Sequence, residues 1–402
     1  MVVNLGNPII NNTVRHAIHA LHQDGLLGEF HTTIETSNLA KLALPAAFQS
    51  EFRRRALPRK PGMKVVQHPN WEIIRIFTQM TGIPQPNFLL TNSANKKLID
   101  RALAKSLSLP GTRAVYGYEG SCIGSFKEAS NLGLKKFLDL QAVYWRAGES
   151  LLAEERELKP DWALTMPPSF RIDAGEQTTE EIDLADHIFV ASTFAEKAFR
   201  EFYKTPKKLH VVQYGAPTVA TNIIPNESGK LKVLFVGGLS QLKGMSYFFE
   251  AVAKLLPHIE VTVVGRKVGE SATREAALEN VNYIASAPND EILRIMRAND
   301  VLVFPSLFDG FGLVILEALS QGIPVIASTN SGGPDIVTNG ENGWTIPIRN
   351  SDVIFQHLET LVFDRALLHS MKENALASAR NASWEMYERT LLAIVSGSLR
   401  DG

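Results

Sequence analysis

From residue 231 onward, short runs rich in β-branched residues alternate with helix-length segments, and few folds accommodate such an alternation. The runs are LKVLFVGG (231–238), IEVTVVG (259–265), VNYIA (281–285), DVLVFPS (300–306) and IPVIAS (323–328). Between them, segments such as MSYFFEAVAKLL (245–256) and NDEILRIMRA (289–298) place apolar residues three and four apart, the period of a helix face. Strand and helix in this order predict a parallel sheet with helices on both faces, an α/β class domain of Rossmann-like, doubly wound type.

The first half carries the same alternation less densely. MVVNLG, EFHTTIE (29–35), GMKVV (62–66), RAVYGY (113–118), KKFLDL (135–140) and HIFVAS (187–192) are strand candidates, with HAIHALHQDGLL, ANKKLIDRALAKSL and GSFKEASNLGL among the helices between them. At roughly 150 residues per domain, 402 residues allow two or three domains. The Pro-, Asn-, Gly- and Ser-rich stretch 216–230 lacks periodicity and divides the chain into an N-terminal domain, 1–215, and a C-terminal domain, 231–382. The last segment, 383–402, holds a helical pattern, WEMYERTLLAIVSGSL, that follows another helix without an intervening strand.

Composition narrows function. With 41 Lys+Arg against 42 Asp+Glu, the net charge of −1 provides no global basic field for nucleic acid. The single cysteine, Cys122, excludes an internal disulfide, fits a reducing compartment, and reads as small packing in a Gly/Ser loop. The start has neither the basic head nor the apolar run of a signal peptide, and no segment approaches ~20 uninterrupted apolar residues, so a cytoplasmic, non-spanning protein is expected.

The chemistry concentrates in residues 301–328. A buried strand runs into Asp309-Gly310-Phe311-Gly312 and then into an apolar helix carrying Glu317, which Gly322 and Pro324 end. A strand, a glycine turn and a helix N-terminus make an anion site, because free N–H groups and the positive end of the helix dipole point outward. Glu317 lies five residues beyond Gly312, about 7.5 Å along the axis at ~1.5 Å per residue. That is the scale of the step from a diphosphate to its ribose. Asp309 is then placed to accept from sugar hydroxyls and Glu317 to hold a ribose diol. The competing reading makes Asp309 a turn former and Glu317 an exposed helix residue.

The block formed by Asp309, Gly310, Phe311, Gly312, Glu317, Ala318, Gly322, Pro324 and Val325 resembles the donor-binding signature of the retaining glycosyltransferases of family 4, and HALHQDGLL with the TTIET strand and RAVYGYEGS through LLAEERELKP resemble a polysaccharide-biosynthesis subset of that family. SGGPDIVTNGENGWTIP (331–347) resembles the block that follows the signature, and FVGGLSQLKG (235–244) the loop that opens the donor domain. The resemblance is close over residues 190–399 and looser before. It implies the GT-B architecture: two facing Rossmann-like domains, a site in the cleft, and a C-terminal helix, here bearing Trp384 and Tyr387, crossing back to the first domain.

The implied activity moves a sugar from a nucleotide-diphosphate-sugar donor to a glycan or lipid-linked glycan acceptor, with retention. Lys243 and the backbone from Gly310 to Leu313, with Gly237, Gly238 and Gly265 nearby, would hold the diphosphate; Glu317 would hold the ribose and Asp309 orient the sugar. The departing phosphate would take the acceptor proton. Gly238 stands where the family commonly has Arg, so one phosphate cation is missing or comes from elsewhere, with Arg266 and Lys267 as candidates. The N-terminal histidine common in relatives is also missing, and Glu119 is the polar residue best placed to face the cleft, with Tyr118 beside it to stack on a sugar.

The chain contains no Asp-x-Asp, so no metal is expected, nor any cofactor beyond the nucleotide-sugar substrate; no G-x-G-x-x-G or phosphate-loop motif is present. His16, His19 and His22 read as amphipathic-helix surface rather than metal ligands. Arg53, Arg54, Arg55, Arg59, Lys60 and Lys64 read first as a solvated loop, and by the resemblance as a patch for anionic lipid at the inner face of a membrane. Two other functions stay open: a sugar-nucleotide 2-epimerase, which would need acids and histidines not seen here, and a non-catalytic nucleotide-sugar or glycan binding protein.

Overall fold

A computed structural model describes residues 1–37, 55–81, 92–167, 172–224, 226 and 229–400. The described elements of the first half are β1 (Val2–Gly6), α1 (Asn12–Gln23), β2 (Leu27–Thr32), β3 (Lys64–Gln67), α2 (Asn70–Thr81), α3 (Ser93–Ser106), β4 (Thr112–Tyr118), α4 (Ile123–Asn131), β5 (Lys135–Asp139), α5 (Trp145–Leu158), α6 (Ile172–Leu184), β6 (His187–Val190), α7 (Thr193–Phe202) and β7 (Lys208–Val211). Those of the second half are β8 (Leu231–Val236), α8 (Met245–Ala253), β9 (Ile259–Val264), α9 (Ala272–Leu278), β10 (Asn282–Ile284), α10 (Asn289–Arg297), β11 (Val301–Phe304), α11 (Leu313–Ser320), β12 (Val325–Ser328), α12 (Gly333–Ile336), β13 (Gly343–Ile346), α13 (Ser351–Phe363), α14 (Arg365–Asn381) and α15 (Trp384–Arg400).

The strands form two parallel sheets, ordered β3-β2-β1-β4-β5-β6-β7 and β10-β9-β8-β11-β12-β13. Each is covered by helices, so strands such as β11 (VLVF) and β12 (VIAS) are buried at every residue and show no two-residue alternation. In each sheet the winding reverses between two central strands, β1 and β4 in one and β8 and β11 in the other, leaving a crevice beyond their carboxyl ends. Two strands lack a sequence signal. Edge strand β7, KLHV, has no fully buried residue, and β13, GWTI, is short and buried only at its ends. No helix or strand occupies the described residues 212–224.

Helix α15 packs on α1, with Leu391 and Val395 in one apolar cluster with Val14 and Ile18. Here the histidines find their use. His16 Nδ1 and His19 Nδ1 lie 2.6 and 2.9 Å from Glu388 Oε1, and the His16 ring stacks on Trp384 at 4.2 Å. They are a seam between helices and not solvated surface. At the far end of α15, Ser398 Oγ meets His187 Nε2 at 2.9 Å, and His187 Nδ1 meets His210 Nε2 at 2.9 Å.

The basic run is also corrected. Arg53 and Arg54 lie outside the described residues. Arg55 pairs with Glu72 at 2.6 Å, Arg59 with Glu35 at 2.8 Å, and Lys60 contacts His19, so three of these charges are spent on internal partners; Lys64 is exposed on β3. No helix among the described residues is long and apolar enough to cross a membrane.

The packing of α15 is testable. Leu391→Ala removes a fully buried side chain and is expected to cost about 2–5 kcal/mol, whereas Met386→Ala, 55% exposed on the same helix, stays within about 0.5 kcal/mol. Equal denaturation midpoints for the two variants would show that α15 is not docked through Leu391.

Candidate active site

The crevices of the two sheets face one another across a cavity of about 370 Å³. The C-terminal wall comes from the loop after β8, with Gly237 and Lys243, and from the segment after β11, with Asp309, Phe311, Gly312 and Leu313. The N-terminal wall comes from Asn11 and Thr13 after β1, Gln141 after β5, and Tyr214.

Lys243 ends a 3-10 turn, Gln241–Lys243, that continues the β8 loop. Its Nζ stands 2.5 Å from Asp309 Oδ2 and 5.5 Å from the centre of the Phe304 ring. Both partners of this ion pair keep about a quarter of their side-chain surface open. The other carboxylate oxygen, Oδ1, accepts from the Phe311 N–H at 3.1 Å, and the Asp309 N–H donates to the Asn330 carbonyl at 2.8 Å. Gly312, at φ 84°, caps α11, whose first N–H groups have no partner inside the helix and open at the cavity through Leu313 and Val314. A lysine, a carboxylate and a helix N-terminus therefore converge on one space, which suits an anion carrying a polar appendage. Glu317, one turn along α11, lies outside that wall. Its residue is half-buried, its carboxylate makes no hydrogen bond within the described residues, and burial pushes its pKa up.

Several expected positions are displaced. Glu119 does not line the cavity: its Oε1 accepts from the Ala142 N–H at 3.2 Å and so braces the chain beside Gln141. Tyr118 is 3% exposed with its ring against Tyr116, so it cannot stack on a sugar. Lys267 is engaged by Glu275 and the Tyr283 ring, and Arg266 is exposed away from the cavity. Gly265 packs against Gly237, where a Cβ would stand 1.7 Å from the Gly237 oxygen; its role is close approach and not ligand contact. Gly238 also lies off the cavity wall, and a Cβ there would meet only Val268 at 3.6 Å, ordinary contact, so nothing steric demands glycine. Cys122 is buried. Among the described residues no group of three or more His, Cys, Asp or Glu side chains is arranged to hold a metal ion.

Asn11, Thr13 and Gln141 were not signalled by the sequence. They belong to no motif, and only the strand order brings residues after β1 and β5 to the same edge.

The family comparison bears on residues 219–377, which match the model described as glycosyl transferases group 1. These residues form a group 1 glycosyltransferase domain. Curated relatives include the D-inositol 3-phosphate glycosyltransferase of Corynebacterium efficiens, 32% identical over 178 residues, 41% of this chain and 42% of that protein. That of Rhodococcus jostii is 28% identical over 247 residues, 55% of this chain and 54% of that protein. The chain thus spans about half the length, or less, of the curated relatives it matches. Among solved structures, sucrose-phosphate synthase from Thermosynechococcus elongatus superposes with a TM-score of 0.67 at 15% identity, covering 100% of both chains. HepE of Anabaena, solved with UDP, gives 0.64 at 14% identity, covering 99% and 100%. The two-sheet architecture is the GT-B fold. The glycosyltransferase domain holds the C-terminal wall of the cavity, including Lys243 and Asp309, and carries Glu317 one turn beyond it.

Behind the cavity stand two acids, half-buried Glu119 after β4 and buried Asp139 at the end of β5. Burial pushes the Glu119 carboxyl up to about 7, and burial pushes Asp139 up to about 7 as well, against the Tyr116 hydroxyl that donates to it at 3.0 Å. The native state therefore keeps protons that the unfolded chain releases near its ordinary carboxyl range, so stability attributable to this pair falls as pH rises from about 4.5 to about 7. The variant Glu119→Gln/Asp139→Asn is expected to gain Tm relative to the parent across that window; a constant difference from pH 5 to pH 7.5 would contradict the buried-acid assignment.

Proposed function

We propose that the protein transfers a sugar, with retention at the anomeric carbon, from a nucleoside-diphosphate sugar to a hydroxyl of a glycan or lipid-linked glycan acceptor. The observation that carries this reading is the Lys243–Asp309 pair set against the N-terminus of α11 in the interdomain cavity. A diphosphate entering the cavity takes Lys243 from Asp309, and the helix N-terminus supplies further donors. Asp309, still held at Oδ1 by Phe311, is left with Oδ2 free for a sugar hydroxyl. Glu317, an unpaired carboxylate one turn along the helix, suits the ribose diol.

The bond from the anomeric carbon to the phosphate oxygen breaks as the acceptor oxygen adds on the same face. The acceptor proton passes to the departing phosphate, so no protein base is required. Lys243 and the helix dipole supply the positive charge a metal would otherwise bring, so no metal or cofactor takes part. The HepE complex makes UDP the first nucleotide to try.

Five measurements test the reading. UDP, GDP or ADP sugars should raise the Tm, because a ligand bound only by the folded state stabilises it by mass action; a flat response to all of them would refute it. Lys243→Ala should lower donor-dependent turnover about 10²–10³-fold, and Glu317→Ala should weaken nucleotide binding about tenfold or more. Turnover should survive EDTA, and NMR should show a product of unchanged anomeric configuration, with no isomerisation of donor incubated alone.

A further inference from the structure

The N-terminal wall of the cavity carries a hydrogen-bonded chain whose directions can be worked out atom by atom. Asn11 caps α1, its Oδ1 accepting from the Val14 N–H at 2.9 Å and from the Thr13 hydroxyl at 2.7 Å. Both lone pairs of that oxygen are used, which fixes the amide with Nδ2 turned away from the cap. The Thr13 hydroxyl, having given its proton to Asn11, accepts from Gln141 Nε2 at 2.9 Å. That in turn fixes the Gln141 amide. Asn11 Nδ2 and Gln141 Oε1 make no hydrogen bond within the described residues, and all three side chains line the cavity opposite Lys243 and Asp309.

The chain is held rigidly. Thr13 is 4% exposed. Gln141 sits in a strap pinned on one side by Glu119, which accepts from the Ala142 N–H, and on the other by Gly310, where a Cβ would fall 2.2 Å from the backbone carbonyl oxygen of Gln141. What remains open on the two amides is the Asn11 Nδ2 amino group and the second N–H of Gln141 Nε2 as donors, and one acceptor, Gln141 Oε1. A hydroxyl complements this set, accepting from an amide N–H while donating to Gln141 Oε1. A phosphate oxygen has no proton for Gln141, and an ether or deoxy position lacks one as well.

We propose that Asn11 and Gln141 recognise a neutral hydroxyl of the sugar bound opposite the Lys243–Asp309 pair, with Thr13 as the positioning residue that sets both amides. The assignment rests on the glycosyltransferase reading and deepens it by naming the chemistry recognised from the N-terminal side. The hydroxyl belongs either to the donor sugar or to the acceptor, and the test separates the two.

Calorimetry on the full chain with UDP, UDP-glucose, and methyl α-D-glucoside in the presence of UDP would decide. The variants are Asn11→Ser, which keeps a capping oxygen but removes the outward donor without adding charge, Gln141→Met, and Thr13→Val with Thr13→Ser as its rescue. UDP affinity should be unchanged in all of them, which also shows that the fold is intact. If the hydroxyl is the donor's, UDP-glucose affinity falls about tenfold while the glucoside is unaffected; if it is the acceptor's, the glucoside alone weakens by that factor. Thr13→Ser should restore parental affinity in either case. Unchanged affinity for both sugars alongside normal UDP binding overturns the proposal and leaves the glycosyltransferase reading standing. Failure of the parent to bind any of UDP, GDP and ADP removes both.

Discussion

The cleft depends on the absence of one side chain. Gly310 brings the glycosyltransferase domain into direct backbone contact with the N-terminal half, where the carbonyl of Gln141 occupies the space a Cβ would need. Ser192 Oγ donates to the Gly310 carbonyl at 2.7 Å while also capping α7 through the Ala195 N–H. Nearby, Asp335 accepts from the Thr193 N–H at 2.9 Å and its hydroxyl at 2.5 Å. The two sheets therefore register against each other through the same loop that carries Asp309. Any ligand-binding geometry that uses both walls inherits its precision from this contact.

Phe311, the residue between the two glycines, extends the same linkage to the end of the chain. Its ring meets Tyr214 edge-on at 5.1 Å, Tyr214 packs against Trp384 and Tyr387 at 6.1 and 6.0 Å, and Trp384 stacks on His16 of α1. An aromatic column thus joins the loop after β11, the connection after β7, α15 and α1. Such rings contribute large buried area with few rotatable bonds, so the column stiffens the cavity wall as well as stabilising the fold. The phenylalanine of the motif serves this packing, while its backbone N–H holds Asp309.

What the sequence revealed follows from which signals are local. Parallel strands buried on both faces announce themselves as apolar runs, and β8, β9, β11 and β12 were legible for that reason. Edge strands β7 and β13 were not, because pairing along one side and partial exposure leave no run to read. The C-terminal wall was legible because Asp309, the glycines and Glu317 lie within nine consecutive positions of one strand–turn–helix. The N-terminal wall was not. Asn11 and Gln141 are 130 positions apart, and their meeting is decided by the strand order β1-β4-β5 and by a hydroxyl between them. Glu119 differs for a related reason: a carboxylate just past a strand end suits a cleft, but a nearby N–H, that of Ala142, satisfies it instead.

The charges that line the cavity are balanced within it. Lys243 carries about one positive charge and the start of α11 about half of one, while Asp309 offsets the lysine at contact distance. The paired state spares both groups the cost of standing uncompensated in a partly enclosed space. On the proposed reaction, a diphosphate exchanges for the carboxylate, so binding depends on the difference between two ion pairs rather than on one. On that reaction an arginine at 238 would shift the balance toward the diphosphate; a Cβ at Gly238 would meet only Val268, at 3.6 Å. The remaining neutralisation then falls to backbone N–H groups, whose positions the Gly310 contact and the Phe311 column fix. On the proposed reaction the loop geometry thus supplies the neutralisation that Lys243 leaves incomplete.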